Sequence, residues 1–274
     1  MWKQKILLLC LAIFLVSCGK SPDDYEQDRE GIYYQEIGKK TIGQKYNSMA
    51  QYTRRLLLYN DRIYSSYVSS FSTGSFGTER EDLHLDDILG NELTTVKGNH
   101  SVFWSVDGKK LSEVTTEGIL YQVKGYDEDF RVGIYYEISM PFSDPYCYLA
   151  IFEQLNGLTL HEGRELFEER LHLGETVRIE GMGKSESSKC ELAIDSTEVK
   201  EFLEALYEGV FVDSTGALNT KESCALSFYD PNNLVTNIRV YADGYVVMDR
   251  NSENIFFIKV EASKCRNIVE LVSD

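Results

Sequence analysis

The chain has 274 residues, 28 basic against 44 acidic residues and a formal net charge of −16. This balance argues against a nucleic-acid partner, because neutralising phosphates requires clustered Lys and Arg. It also argues against a body that lies flat on anionic lipid, which attracts basic segments. We expect an acidic, well-solvated surface instead.

Residues 1–20 form a short basic and then apolar segment that ends near a cysteine. Two lysines and no acid precede the uncharged run ILLLCLAIFLV at residues 6–16. This run is too short to span a bilayer, which takes about 20 apolar residues. A basic start followed by a short apolar core is typical of a secretory signal peptide.

The end of this segment, LVSCGK, has an aliphatic residue three positions before Cys18 and the small residue Ser17 just before it. This pattern resembles the lipobox of bacterial lipoproteins. The resemblance implies a diacylglyceryl cysteine at Cys18, carrying fatty acyl chains such as palmitate, and cleavage just before it. Two acyl chains anchor a protein stably where one is marginal. The alternatives are an ordinary signal peptide with a chance cysteine, or a buried N-terminal helix.

We therefore predict a signal peptide at residues 1–17 and a lipid membrane anchor at Cys18. Removing this signal makes the net charge more negative by two, because it holds Lys3 and Lys5 and no acid. Residues 18–30 are polar and without apolar period, so they are predicted to be a tether. The body is expected to be extracellular, lipid-anchored in the cell envelope on the extracytoplasmic face of the cell membrane.

The body begins with segments that are typical of strands. The run RRLLLYNDRIYSSYV has two apolar parts around Asn60 and Asp61, which is a hairpin signal. A second hairpin is predicted from GILYQVKGYDEDFRVGIYYEI, in which apolar residues alternate, and further strands from YCYLAIFE and TVRIEGM.

Three segments predict helices. Ser196 is a candidate N-cap, and Leu203 and Leu206 lie on the apolar stripe of the helix that follows, so we expect both leucines to be buried. A shorter helix is predicted at residues 164–171, and a last one near residues 263–272.

The final ninety residues predict a compact unit with the element order β-α-β-β-β-β-α. Asp243 and Gly244 suit a two-residue type I′ turn, which would pair Ala242 with Tyr245. The fold class is therefore predicted as α+β, with β-rich antiparallel sheets, a few packed helices and two sub-domains. The predicted domains are 31–184 and 185–274, and a diverged repeat relating the two halves stays open.

Four cysteines remain in the body once Cys10 leaves with the signal and Cys18 carries lipid. They are Cys147, Cys190, Cys224 and Cys265. Outside the cytoplasm they could form two disulfides in three connectivities. Their apolar neighbours also suit buried free thiols, and the sequence leaves both possibilities open.

Recognisable catalytic motifs are missing from the body. It has no HExxH, GxSxG, Ser-x-x-Lys, CxxC, Walker or GxGxxG pattern. In HEGRELFEERLH, His161 and Glu165 would share a helix face and could bind a metal, but a charged outer helix face is the favoured interpretation. Asp127, Glu128 and Asp129 are interpreted as an acidic turn, because the calcium-loop pattern is absent. We expect no metal, no cofactor and no enzymatic activity.

Eighteen tyrosines suggest an aromatic platform for a glycan or peptide, since Tyr offers rigid area with a polar tip. The candidates for such a platform are Tyr64, Tyr67, Tyr126 and Tyr135. The strand propensity of Tyr is the competing explanation for this composition.

The segments GILYQVKGYDEDFRV, NGLTLHEGRELFEERLHL and RVYADGYVV resemble uncharacterised lipoproteins of Gram-positive anaerobes. That resemblance implies an envelope location and no particular mechanism. The leading hypothesis is a non-catalytic binding or interaction module for a protein or a cell-wall component. The alternatives are the solute-binding lipoprotein of a transporter and then an envelope-acting enzyme.

Overall fold

The computed structural model describes the body of the chain, beginning at Ile32 and ending at Ser273. Cys18 and the predicted signal and tether lie outside the described residues. The described ranges are 32–33, 55–73, 85–99, 103–106, 108, 116–138, 146–183, 189–212, 222–249 and 255–273.

Seven strands close into a barrel in the order β2-β3-β8-β7-β6-β4-β5. Neighbouring strands are antiparallel except for β2 and β5, which are parallel. The strands are β2 (Leu56–Tyr59), β3 (Arg62–Thr73), β4 (Leu89–Asn99), β5 (Phe103–Ser105), β6 (Thr116–Val123), β7 (Arg131–Ile138) and β8 (Tyr146–Glu153).

The predicted hairpin at Asn60 and Asp61 is confirmed. Tyr59 pairs with Arg62, and the two turn residues have φ values of 46° and 61°. Positive φ at both centres defines a type I′ turn, whose twist matches that of the flanking strands. The predicted hairpin of β6 and β7 is also confirmed, and so is strand β8.

Glycines facing the barrel interior make room for large side chains. A Cβ atom at Gly98 would lie 2.8 Å from the Trp104 ring, and one at Gly118 would lie 2.9 Å from a methyl group of Ile134. The Trp104 ring lies 4.9 Å from that of Tyr136, which stacks on Tyr148. Alternation of small and large residues is how small barrels fill their interior.

A second sheet of seven strands follows, in the order β11-β10-β13-β14-β15-β16-β12, with every pair antiparallel. The predicted α+β class is confirmed. Strand β10 precedes residue 184 in the chain but belongs to this second sheet. The domain boundary proposed at residue 184 stays a prediction. The strands are β10 (Arg178–Met182), β11 (Lys189–Leu192), β12 (Val210–Val212), β13 (Ser223–Tyr229), β14 (Val235–Tyr241), β15 (Tyr245–Asp249) and β16 (Ile255–Lys259).

Short elements surround and connect the two sheets. Helix α1 precedes β4, β1 pairs with β9, and α2 follows β9. The helix predicted at 164–171 is shorter than expected: it ends at Phe167, and turn residues lead from there to the left-handed His172 and a 3₁₀ turn. These elements are α1 (Leu85–Ile88), β1 (Ile32–Tyr33), β9 (Thr159–Leu160), α2 (Gly163–Phe167) and the turn Leu173–Glu175.

Helices α3 (Thr197–Tyr207) and α4 (Ala262–Ser273) cover one face of the second sheet. None of the helices that the structure describes is long and apolar enough to cross a membrane. One buried cluster extends from the outer side of the barrel, at Leu149 and Ile151, to the sheet residues beneath these helices, such as Val240.

The N-cap of α3 is confirmed, but its apolar stripe differs from the prediction. The Ser196 hydroxyl accepts a hydrogen bond from the Val199 N–H at 3.2 Å. Leu206 is fully buried, whereas Leu203 is half-buried, and Tyr207 occupies the buried face instead. The predicted burial is therefore confirmed for Leu206 and holds only in part for Leu203, which packs against the same buried cluster from its edge.

Leu206→Ala is expected to lower the free energy of unfolding by about 2–5 kcal/mol, because it leaves a cavity in a closed core. Leu203→Ala should cost less, since part of this side chain is already exposed to water. Urea unfolding of both variants measures the difference. Equal losses would contradict the helix orientation.

The hairpin between β14 and β15 has a different register from the predicted one. Tyr241 pairs with Tyr245, and Val240 pairs with Val246 rather than with Val247. The turn thus holds three residues, and only its last, Gly244, has positive φ, at 95°. Such a loop is a type I turn followed by a left-handed residue. The Gly244 carbonyl accepts a hydrogen bond from the Val260 N–H, and this contact holds the longer loop in place.

Candidate functional site

Two members of the predicted tyrosine platform are buried. Tyr64 is 1% exposed and donates a hydrogen bond to the Glu128 carbonyl, while Tyr126 is 7% exposed and donates to Asp230 at 2.9 Å. Burial raises the pKa of Tyr64 to about 12. The predicted platform is therefore wrong for both residues, because each supplies its ring to packing and its hydroxyl to an internal bond.

The other two members do not join them. Tyr135 is half-buried on the outer side of the barrel, where its hydrogen bond with Cys147, together with burial, raises the pKa of Tyr135 to about 12. Tyr67 lies in β3, and its side chain is outside the described part of the chain. The sequence-predicted platform is not assembled by the side chains that the structure describes.

The outer face of the second sheet, opposite α3 and α4, presents a more informative surface. Strand β13 shows the alternation, with Cys224, Leu226 and Phe228 buried under the helices and Ala225 and Tyr229 half-buried on the other side. Paired residues on neighbouring strands point to the same face of the sheet, so the outward residues line up in rows across the strands.

Two adjacent rows cross this outer face, and together we call them the outer band. The first row contains seven residues in successive pairings, and the second row contains five. The outer band consists of Lys189, Met182, Ala225, Arg239, Val247, Phe257 and Val212 in the first row, and of Ser223, Tyr241, Tyr245, Lys259 and Val210 in the second.

The composition of the outer band differs from that of the whole chain. None of its twelve residues is acidic, although the chain has 44 acids, and its three charged residues, Lys189, Arg239 and Lys259, are exposed cations. Phe257 and Val247 are half-buried and belong to neither buried cluster. Aromatic residues, Met and Arg are enriched at protein–protein interfaces and acids are depleted, and the outer band shares these features.

Ordered polar contacts border the outer band on one side. The Arg178 guanidinium lies 3.8 Å from the centre of the Tyr229 ring and 3.3 Å from the Glu180 carboxylate. The Tyr229 hydroxyl donates to the other Glu180 oxygen at 2.8 Å. A row of paired polar groups beside an apolar strip resembles the rim of a binding surface.

A cleft of about 210 Å³ lies elsewhere, beside the turn between β6 and β7. Two of its acids already have partners: Asp127 accepts from the Asp129 N–H, and Asp129 forms an ion pair with Arg62 at 2.7 Å. This arrangement favours a structural role for these acids. The cleft is lined by Asp127, Asp129, Phe130, Glu169, Arg170 and His172.

A buried polar chain lies close to this cleft and joins the barrel to the second sheet. Arg131 and Glu153 form an ion pair that is 2% exposed at both residues, and the Arg131 guanidinium lies 4.0 Å from the Tyr126 ring centre. Asp230 accepts from Tyr126 and also from the Asn232 and Leu234 N–H groups. Buried charges require such partners, so this chain holds the two parts in one arrangement.

The structure describes all four body cysteines as free thiols. Cys224 and Cys265 are buried on the helix side of the second sheet, and burial raises the pKa of both to about 12. Thiols of this kind are poor nucleophiles.

The histidine-containing segment forms no metal centre in the described residues. His161 and Glu165 make an exposed contact at 3.3 Å, as expected for a charged outer face. Across the ranges that the structure describes, no group of three His, Cys, Asp or Glu residues could hold a metal ion.

The outer band was missed at the level of sequence, although one signal pointed to it. YVVM and IFFIK are apolar at consecutive positions, which is typical of strands covered on both faces. Helices α3 and α4 cover one face, so the consecutive apolar residues leave an apolar strip on the other.

Comparison with known proteins adds no relative. Neither the family models nor the curated proteins nor the solved structures match this chain.

Proposed function

We propose that this protein is a lipid-anchored lipoprotein of the cell envelope that acts as a non-catalytic binding module on the extracytoplasmic face of the membrane. The outer band is its binding surface. One observation carries the binding role: twelve outward residues in two adjacent rows contain apolar, aromatic and cationic groups and no acid, in a chain of net charge −16.

The shape of this surface favours a macromolecule over a small solute. Small molecules bind in concave pockets that enclose most of their surface, whereas the outer band is one face of a seven-stranded sheet. Solute-binding lipoproteins are expected to have two doubly wound lobes, which require parallel strands. Apart from the pairing of β2 with β5, the described strands pair antiparallel.

The lipid anchor is supported by the sequence pattern that ends at Cys18. Thirteen residues lie between Cys18 and Ile32, the first residue of β1. A fully extended chain of this length spans at most about 50 Å. An anchor at Cys18 would therefore keep the binding surface within reach of partners in or near the membrane.

Cys18→Ala is expected to abolish incorporation of labelled fatty acid and to leave unprocessed precursor or released protein, because the acyl chains attach to the Cys18 sulfur. Metabolic labelling followed by membrane fractionation measures both effects. Cys147→Ala, a change in the body, is the matched control and should label normally. If the Cys18→Ala protein still carries fatty acid and fractionates with membranes, the anchor proposal fails.

The binding role is tested by cross-linking on intact cells. A photoreactive amino acid at Val247, in the outer band, should give a discrete adduct with an envelope protein or wall component. The same group at Glu204, an exposed residue of α3, is the control and should not give this adduct. Identical adducts from both positions, or none from Val247 with several cross-linking chemistries, would overturn the proposal.

A further inference from the structure

We infer that the partner of the outer band is a protein with an acidic surface or acidic segment. This inference rests on the proposed function and deepens it, since it names the chemistry of the partner. The outer band carries exposed cations among apolar and aromatic residues, so that a partner must satisfy both groups at once.

The cations alternate with apolar side chains across the sheet. Arg239 pairs in register with Ala225 and Val247, and Lys259 pairs with Tyr245 and Val210. Any partner that covers the apolar residues therefore also removes these cations from water. A buried charge without a counter-charge is strongly unfavourable, whereas carboxylates opposite Arg239 and Lys259 would provide complementary charge.

Among the residues that the structure describes, no acid lies within the outer band. Glu180 and Glu191 lie in the adjoining row, where Glu180 is already engaged by Arg178 and Tyr229. The outer band itself supplies no counter-charge to Arg239 and Lys259, and a partner with carboxylates would provide it.

A second copy of the chain is a poor occupant. Acidic residues are exposed on α3, at Glu198, Glu201 and Glu204. Placing that helix against the outer band of another copy would make a head-to-tail contact, which continues indefinitely unless it closes into a ring. Copies with a net charge of −16 also repel one another.

An anionic bilayer is also disfavoured. A bilayer extends beyond the outer band and would face the acidic body as a whole, whereas a protein partner contacts a limited area. A protein can place its acids opposite Arg239 and Lys259 alone and its apolar or aromatic groups against Phe257.

The test uses the full-length lipidated protein in detergent and a fluorescent random copolymer of Glu and Tyr, with a Lys and Tyr copolymer for comparison. Fluorescence anisotropy should show binding of the Glu and Tyr copolymer that weakens as salt increases, because exposed charge pairs are screened. Arg239→Gln combined with Lys259→Gln should weaken binding at least about tenfold, as expected for loss of close charge complementarity. The control pair, Lys200→Gln with Arg266→Gln on the helical side, should leave binding within about twofold.

Four results would overturn the inference. They are no binding of the Glu and Tyr copolymer at low salt, equal binding of the Lys and Tyr copolymer, equal weakening by the control pair, and a preference for phosphatidylglycerol over phosphatidylcholine vesicles that the Arg239→Gln and Lys259→Gln pair removes. Circular dichroism establishes that the variants are folded. If one of these four results were obtained while Val247 still gave a discrete cross-link, the acidic partner would be rejected and the binding role would remain. The two proposals therefore fail separately.

Discussion

Gly244→Ala is expected to lower the free energy of unfolding by about 2–5 kcal/mol. Part of this loss, about 1–2 kcal/mol, is the cost of a left-handed backbone for a residue with a Cβ atom, since φ is 95°. The rest, about 1–3 kcal/mol, is overpacking, because the new Cβ would lie 2.7 Å from the Val260 carbonyl oxygen. Urea unfolding measures the total.

Gly125→Ala is the matched control for this prediction. Gly125 also has positive φ, at 80°, but a Cβ there would approach no described atom closer than 3.7 Å, at the Asn232 amide nitrogen. Gly125→Ala should therefore lower the free energy of unfolding only by the cost of the left-handed backbone, about 1–2 kcal/mol. Equal losses at both glycines would show that the contact with Val260 has no energetic weight.

The same contact changes what is expected for Gly244→Asn. Asn adopts left-handed φ more easily than most residues, so the sequence alone suggests that Asn is tolerated. Any Cβ atom at this position meets the Val260 carbonyl, whatever its backbone preference. Asn should therefore be nearly as destabilising as Ala.

Arg131→Met is expected to cost about 3–5 kcal/mol, because it leaves the Glu153 carboxylate buried without its cation. Both residues are 2% exposed, so water cannot replace the lost partner without rearrangement. The double variant Arg131→Met with Glu153→Leu should recover most of the loss, since removing both charges of a buried pair is often neutral or stabilising. Thermal and urea unfolding of the single and double variants provide the measurement.

Lys97→Met is the control for the ion pair. Lys97 lies 3.2 Å from Glu117 on the barrel surface, where the two side chains are 45% and 63% exposed. Exposed pairs contribute about 0–1 kcal/mol. The role of the buried polar chain would be contradicted if Arg131→Met lowered the free energy of unfolding no more than Lys97→Met does. It would also be contradicted if the double variant were no more stable than Arg131→Met.

The candidate site shows why side-chain exposure was hard to predict. Tyr126 lies in a polar turn sequence, GYDED, which suggests an exposed ring. Its hydroxyl bonds to Asp230, 104 positions away, and this contact closes the junction between barrel and sheet. Tyr241 and Tyr245 lie in strands that read as part of a packed sheet, yet they are half-buried on the uncovered face.

Local interactions determined much of the fold from the sequence alone. The turn at Asn60 and Asp61 and the N-cap at Ser196 follow from residues within four positions of each other, so their outcome depends little on the rest of the chain. Strand alternation likewise predicted β6, β7 and β8. The resemblance at Cys18 is also local, and it is the basis for the proposed anchor.

Long-range contacts decided what the sequence left open. The register at Gly244 depends on a hydrogen bond from Val260, and the orientation of α3 depends on the sheet beneath it. The outer band exists because α3 and α4 pack on the same side of the second sheet. Alternation along a strand defines two faces but cannot say which face the helices will cover, since that choice is made by the packing of segments far apart in the chain.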